Sequence, residues 1–137
     1  MKQRIDSYAA RAADFHNYAA RVLDGGQLPE HLCADVIVYV HRLNREAAQL
    51  KSALHTKIAE ASEQVFGELT VVSKVRTGSI QRPDDLPDAA ERMIAEHGKA
   101  AIAAQDRLAW LQTLLSRVDY IYEQAQQDFR HLCDLQR

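Results

Sequence analysis

The sequence predicts an all-α protein, a three-helix antiparallel bundle with a long, coiled-coil-like helical hairpin. Three observations predict this class: the composition is that of a folded protein, helix-breaking residues cluster at two points, and apolar residues recur at steps of three and four between them. The chain has 137 residues, of which 47% are hydrophobic and 26% are charged, with 5 Gly and 3 Pro. We therefore expect one folded helical domain over residues 1–137 and not a disordered chain.

The two clusters of breakers set the predicted ends of the helices. Gly25 and Gly26 suit the end of one helix, and Pro29 suits the first turn of the next. A second breaker-rich segment runs from Thr77 to Pro87 and predicts a loop at residues 77–86. The predicted helices therefore lie near residues 4–24, 29–75 and 87–135.

The third predicted helix carries an unbroken heptad pattern. Its stripe consists of Ile94, His97, Ala101, Ala104, Leu108, Leu111, Leu115, Val118, Tyr122, Ala125, Phe129 and Leu132. Spacing of this kind is typical of coiled-coil packing, and His97 is its one polar interruption.

The second predicted helix follows a different count. Its stripe consists of Val36, Tyr39, Leu43, Ala47, Leu50, Leu54, Ile58, Ala61, Val65, Leu69 and Val72. This eleven-residue repeat favours a nearly straight helix, which does not mesh with a heptad along its whole length. If the two helices pair antiparallel, Gly67 and Gly98 lie at nearly one level, which predicts close backbone packing there, with a paired hinge as the alternative.

The two ends of the hairpin differ in the size of their side chains. Large apolar residues concentrate at residues 30–52 and 112–135, so we expect the short first helix to pack there. The run Val36-Ile37-Val38-Tyr39-Val40 is apolar all round, which predicts a helix covered on most faces, with a buried strand as the alternative. The other end has two helices rich in alanine, and such a pair buries little surface per ordered residue and would be only marginally stable by itself.

This two-helix end predicts the function of the chain. A pair of helices that lacks cover can be completed by a second copy or by a partner helix. We expect a non-enzymatic interaction or assembly module (a regulator, adaptor, small chaperone or complex component), most simply a homodimer. The predicted partner-binding residues are Ile58, Ala61, Val65, Leu69, Ile94, Ala101 and Ala104.

A nucleic-acid-associated regulator is the alternative from a different class. Lys74, Arg76 and Arg82 lie on the approaches to the predicted loop and could contact phosphates. Two features disfavour this alternative. The chain has 17 basic against 19 acidic residues, and Asp84 and Asp85 stand beside the basic group.

The sequence predicts no catalytic residue, metal or cofactor. His-Leu-Cys occurs at residues 31–33 and again at 131–133, but His and Cys two positions apart on a helix point to opposite sides, which disfavours one zinc site. A disulfide between Cys33 and Cys133 stays open, although two reduced thiols are the default without an export signal.

Two enzyme classes are considered and disfavoured. Arg92 and His97 have a spacing used by some all-helical ribonucleases, but Met93 stands where those enzymes prefer a polar residue. A histidine phosphotransfer protein needs an exposed histidine. His97 lies on the seam and His41 is more plausibly exposed, but neither has the flanking pattern of such domains.

The hydropathy pattern predicts a cytoplasmic protein. No run of about 18 apolar residues exists, and the first residues lack the apolar core of a signal peptide. We therefore expect no membrane association.

Overall fold

The computed structural model describes residues 1–25, 33–78 and 89–135, and these residues form three α-helices without a strand. Helix α1 is Lys2–Gly25, α2 is Cys33–Arg76 and α3 is Ala89–Leu135. The predicted all-α three-helix class is confirmed. Of the predicted loop, Thr77 and Gly78 form a turn in which Gly78 has a φ of 76°, a left-handed conformation that glycine adopts without strain. The rest of that loop lies outside the described residues.

The chain divides into two compact units. Unit 1 comprises Met1–Leu54 with Thr113–Arg137, and unit 2 comprises His55–Gln112. Unit 1 holds all of α1, which confirms the prediction that α1 packs beside the parts of α2 and α3 that are rich in large apolar residues. The organisation as a single domain stays a prediction.

Helix α1 joins unit 1 through one apolar face. Every third or fourth residue of α1 is buried, and these residues are Ile5, Tyr8, Ala12, Phe15 and Ala19. Side-chain contacts join α1 to α2. Arg11 pairs with Glu46 of α2, and the Tyr39 hydroxyl of α2 donates a hydrogen bond to the Arg11 carbonyl over 2.9 Å.

Helices α2 and α3 run antiparallel. In unit 1, Gln126 donates to Asn44 over 2.5 Å, and Lys51 pairs with Asp119 at 3.0 Å. Contacts therefore move back along α3 as they move forward along α2. Two further pairs, Asp6 with Arg117 and His16 with Asp128, show that α1 runs parallel to α3.

The buried positions of α2 follow heptad spacing with one extra step of four, and not the predicted eleven-residue repeat. The nine buried residues described on α2 are Val36, Val40, Leu43, Ala47, Leu50, Leu54, Ala61, Val72 and Val75, and the half-buried Ile58, Val65 and Glu68 continue their spacing. The extra step, from Leu54 to Ile58, falls where unit 1 ends on α2. Such an insertion shifts the apolar face and lets one helix serve two packing arrangements.

The apolar run at the start of α2 is helical but is not covered on most faces. Val36 and Val40 are buried, whereas Ile37 is 57% exposed and Val38 is 50% exposed. The prediction of cover all round is therefore wrong. Only the side of α2 that faces α1 and α3 is covered, because a three-helix unit presents neighbours to one side of each helix.

The predicted close packing at Gly67 and Gly98 is also wrong. A Cβ added to either glycine would meet no neighbouring atom within 4 Å. Helix α2 continues through Gly67 and helix α3 continues through Gly98, so neither glycine interrupts its helix. None of the described helices is both long and apolar enough to cross a bilayer.

Candidate functional site

The residues predicted to bind a partner lie mainly in the seam between α2 and α3 of unit 2. Ala61, Ala101 and Ala104 are each 2% exposed. Ile58, Val65 and Ile94 are half-buried. Of the seven residues only Leu69 is exposed, at 47%. In this structure the predicted stripe therefore holds the two helices of unit 2 together, and as a binding surface the set stays a prediction.

A polar pair occupies one level of that seam. His97 Nδ1 lies 2.5 Å from Glu68 Oε2, and the two side chains are 34% and 24% exposed. The sequence predicts His97 as the polar interruption but places Leu69, not Glu68, in the seam of α2. Glu68 is the residue that this prediction missed, because an apolar count passes over a carboxylate.

A second stripe follows the seam of unit 2, one residue later on each helix. On α2 it consists of Ala59, Ser62, Phe66, Leu69 and Ser73, and on α3 of Ala95, Gly98, Ile102, Gln105 and Ala109. We call these ten residues the neutral face. None carries a charge, although 26% of the chain is charged, and all are exposed except the half-buried Gly98.

The two halves of the neutral face lie on the same side of unit 2. One residue turns a helix by about 100°, so each half is rotated from the seam by that angle in the direction of its own chain. In an antiparallel pair those two rotations lead to the same side. The large apolar members are Phe66, Ile102 and Leu69, exposed at 74%, 60% and 47%.

The basic residues of the nucleic-acid alternative are only partly described. Lys74 and Arg76 are exposed and occupy the last turn of α2, where basic side chains complement the partial negative charge of a helix end. Arg82 lies outside the described residues. The nucleic-acid interface stays a prediction.

The histidines considered for chemistry are dispersed. His97 is held by Glu68, and both His41 and Arg92 are exposed. Among residues 1–25, 33–78 and 89–135, no three His, Cys, Asp or Glu side chains come close enough to hold a metal ion.

The repeated His-Leu-Cys motif is described only in its second copy. Cys133 is a free, half-buried thiol and His131 is exposed. His31 and the side chain of Cys33 lie outside the described part of the chain.

Unit 1 contains a polar pair that the sequence did not predict. His16 Nδ1 lies 2.9 Å from Oδ2 of Asp128, whose residue is only 7% exposed. The pair lines a shallow cleft of about 260 Å³ between α1 and α3, whose other walls are mostly alanine. An ionised carboxylate only accepts hydrogen bonds, so Nδ1 is the donor and His16 satisfies a buried acid.

Comparison with known proteins adds no family. The chain matches no protein-family model, no curated protein and no solved structure. The function therefore has to be inferred from surfaces and side chains, since a helical bundle as such is compatible with many functions.

Proposed function

We propose that this protein is a non-enzymatic assembly module that binds a second copy of itself through the neutral face of unit 2. The observation that carries the proposal is the exposure of Phe66 and Ile102 on a heptad-spaced stripe without charges. Coiled-coil pairing between copies, the absence of catalysis and a cytoplasmic location belong to the same proposal.

Exposed side chains of this size favour an association that covers them. Phe66 is the most exposed large apolar residue described, at 74%, and Ile102 and Leu69 lie on the same side of unit 2. Burying one such side chain contributes about 1.5–3 kcal/mol. The seam of unit 2 joins two helices and combines alanines, larger apolar residues and one polar pair, so a partner would add to its buried apolar surface.

A second copy is the partner that the chemistry of the neutral face favours. A two-fold dimer brings the same patch of both copies together, so a patch must tolerate itself. A charged stripe would repel its own copy at matched positions, whereas the neutral face has no charge to repel. Two helices from each copy then form a four-helix bundle, the usual way in which helix pairs gain a core.

The test replaces one neutral-face residue on each helix by a carboxylate. We would measure the solution mass of the wild-type chain, Phe66→Glu and Ile102→Glu by light scattering over a concentration series. Trp110→Glu is the matched control, because Trp110 is 46% exposed in unit 2 but lies outside the neutral face. Circular dichroism checks that each variant remains helical.

We expect a wild-type mass of twice 15.5 kDa at high concentration. Phe66→Glu and Ile102→Glu are expected to remain monomers, because dimerisation would bury an unpaired charge. Trp110→Glu should dimerise like the wild type. A wild-type chain that stays monomeric at every concentration, or a dimer that survives both neutral-face changes, contradicts the proposal.

A further inference from the structure

A cleft in unit 1 lies between α1 and the start of α2. Its volume is about 280 Å³, and its walls are almost entirely apolar. The described residues that line it are Asp14, Phe15, Tyr18, Asp35, Val36 and Tyr39. Three of these six are aromatic, in a chain where aromatic residues make up only 7%.

Three aromatic side chains line this one small space. The rings of Phe15 and Tyr39 are stacked with centroids 5.9 Å apart and planes inclined by 28°. Tyr18 completes the aromatic wall, and its buried hydroxyl oxygen has no hydrogen-bond partner among the described residues. The face of an aromatic ring carries partial negative charge, so a group of rings attracts a cation.

Two aspartates also line the cleft and place negative charge beside its apolar walls. Asp14 and Asp35 are exposed, and neither forms an ion pair with a described residue. Burial, and after it the charge of Asp14, raises the pKa of the Tyr39 phenol, so this charge acts on the aromatic wall. Arg11 is the basic group near that ring, and it is paired with Glu46.

We propose that this cleft binds a small organic cation with a quaternary ammonium head group, of the choline class. Methyl groups on the nitrogen suit apolar aromatic walls, while the positive charge is attracted by the rings and by both carboxylates. A bare metal ion is a poor fit, because it needs several converging oxygen ligands. The site lies wholly in unit 1 and is independent of the neutral face, so it is a second binding function.

The first experiment compares choline chloride with its uncharged carbon analogue, 3,3-dimethyl-1-butanol, by calorimetry on the full chain at low salt. The two probes have nearly the same shape and differ in charge. We expect choline to bind about tenfold or more tightly than the analogue, the ratio that cation–π and carboxylate attraction of about 1.4 kcal/mol would give. Equal affinity, or no binding of choline, overturns the proposal.

The second experiment assigns the binding to this cleft. The double variant Asp14→Asn/Asp35→Asn removes the charge, and Tyr18→Leu removes one aromatic wall. We expect each to weaken choline binding about tenfold. Asp134→Asn, an exposed carboxylate on α3 that does not line the cleft, should leave it unchanged.

One further measurement and one property of the double variant keep this result interpretable. Circular dichroism identifies any variant that has lost its fold, and the charge-neutral double variant changes no side-chain volume, so it keeps the test available if Tyr18→Leu unfolds. Choline binding that survives Asp14→Asn/Asp35→Asn and Tyr18→Leu unchanged in folded protein overturns the proposal. Dimerisation is measured separately and does not bear on this outcome.

Discussion

His97 contacts Glu68 across the α2–α3 seam of unit 2, with Nδ1 and Oε2 2.5 Å apart. Both side chains are about one-quarter to one-third exposed, so each still reaches water. A single polar level in an otherwise apolar seam contributes more to fixing the register of two helices than to their stability.

The contact between His97 and Glu68 predicts how the effects of two substitutions combine in a double-mutant cycle. Glu68→Leu leaves His97 half-buried without its partner, and His97→Leu does the same to Glu68, so we expect each single variant to lower the free energy of unfolding by about 1 kcal/mol. The double variant places leucine on both sides of the seam and should be at least as stable as the wild type. Urea unfolding of the four proteins measures the cycle, and two single effects that simply add would contradict it.

The two mid-helix glycines predict a gain in stability on substitution. Gly67 and Gly98 lie within helices, and a Cβ at either position meets no atom within 4 Å. Alanine is favoured over glycine inside a helix by about 1 kcal/mol. We therefore expect Gly67→Ala and Gly98→Ala each to raise the free energy of unfolding by about 0.5–1 kcal/mol in dilute solution.

The two glycines also differ in their position on unit 2. Gly98 belongs to the neutral face and Gly67 does not. Chemical denaturation measures the free energy of unfolding of the two variants. A low protein concentration keeps the chain monomeric, so dimerisation does not contribute to the result. A loss of stability in either variant would mean that another part of the chain approaches that glycine more closely than the structure shows.

The heptad pattern of α3 was predictable because it is continuous and almost wholly apolar. From Ile94 to Leu132 its predicted positions are buried or half-buried in the structure. On α2 the apolar count chose Tyr39 and Leu69, whereas the seam passes through Val40 and Glu68. Hydrophobicity alone does not reveal that Tyr39 contacts α1, or that the Glu68 carboxylate contacts His97 of α3.

The neutral face was not predicted from the sequence, for a related reason. Only Phe66, Leu69 and Ile102 are large and apolar there, and they are spread over two helices. The signal present in the sequence was the lack of charge at the positions that follow the seam, and it could have been found. The cleft of Tyr18 and Asp35 had no such local signal, because its walls are far apart in sequence and meet only through packing of α1 on α2.

The buried carboxylate of Asp128 predicts a dependence on His16. Asp128 is 7% exposed and accepts a hydrogen bond from His16 Nδ1 at 2.9 Å. His16→Leu removes that donor from a buried acceptor, which we expect to cost about 1–3 kcal/mol of unfolding free energy. His131→Leu is the matched control, since His131 is an exposed histidine of α3, and it should change stability by about 0.5 kcal/mol or less.

Thermal and urea unfolding of both histidine variants measure this difference. The double variant His16→Leu/Asp128→Leu removes the acid as well as its donor and should recover most of the loss, because no unsatisfied polar group remains. A double variant no more stable than His16→Leu would show that Asp128 stabilises unit 1 through contacts other than this hydrogen bond.

The phenol of Tyr8 predicts how stability depends on alkaline pH. Tyr8 is fully buried, its hydroxyl has no hydrogen-bond partner among the described residues, and burial raises its pKa from 10.0 to about 12. The unfolded chain therefore releases this proton first as the pH rises. The free energy of unfolding therefore does not depend on the ionisation of Tyr8 below pH 10.0, and it falls by about 1 kcal/mol per pH unit between 10.0 and about 12.

Tyr8→Phe removes both the titrating group and a buried, unsatisfied hydroxyl. We expect it to raise the free energy of unfolding by about 1 kcal/mol at neutral pH, because that hydroxyl no longer has to leave water. Its advantage over the wild type should then widen as the pH rises above 10.0. Tyr120→Phe, at a residue that is 66% exposed, is the control and should keep the wild-type dependence. Urea unfolding of the three proteins from neutral to alkaline pH makes the comparison, and a constant difference between wild type and Tyr8→Phe would show that Tyr8 ionises as readily in the folded chain as in the unfolded one.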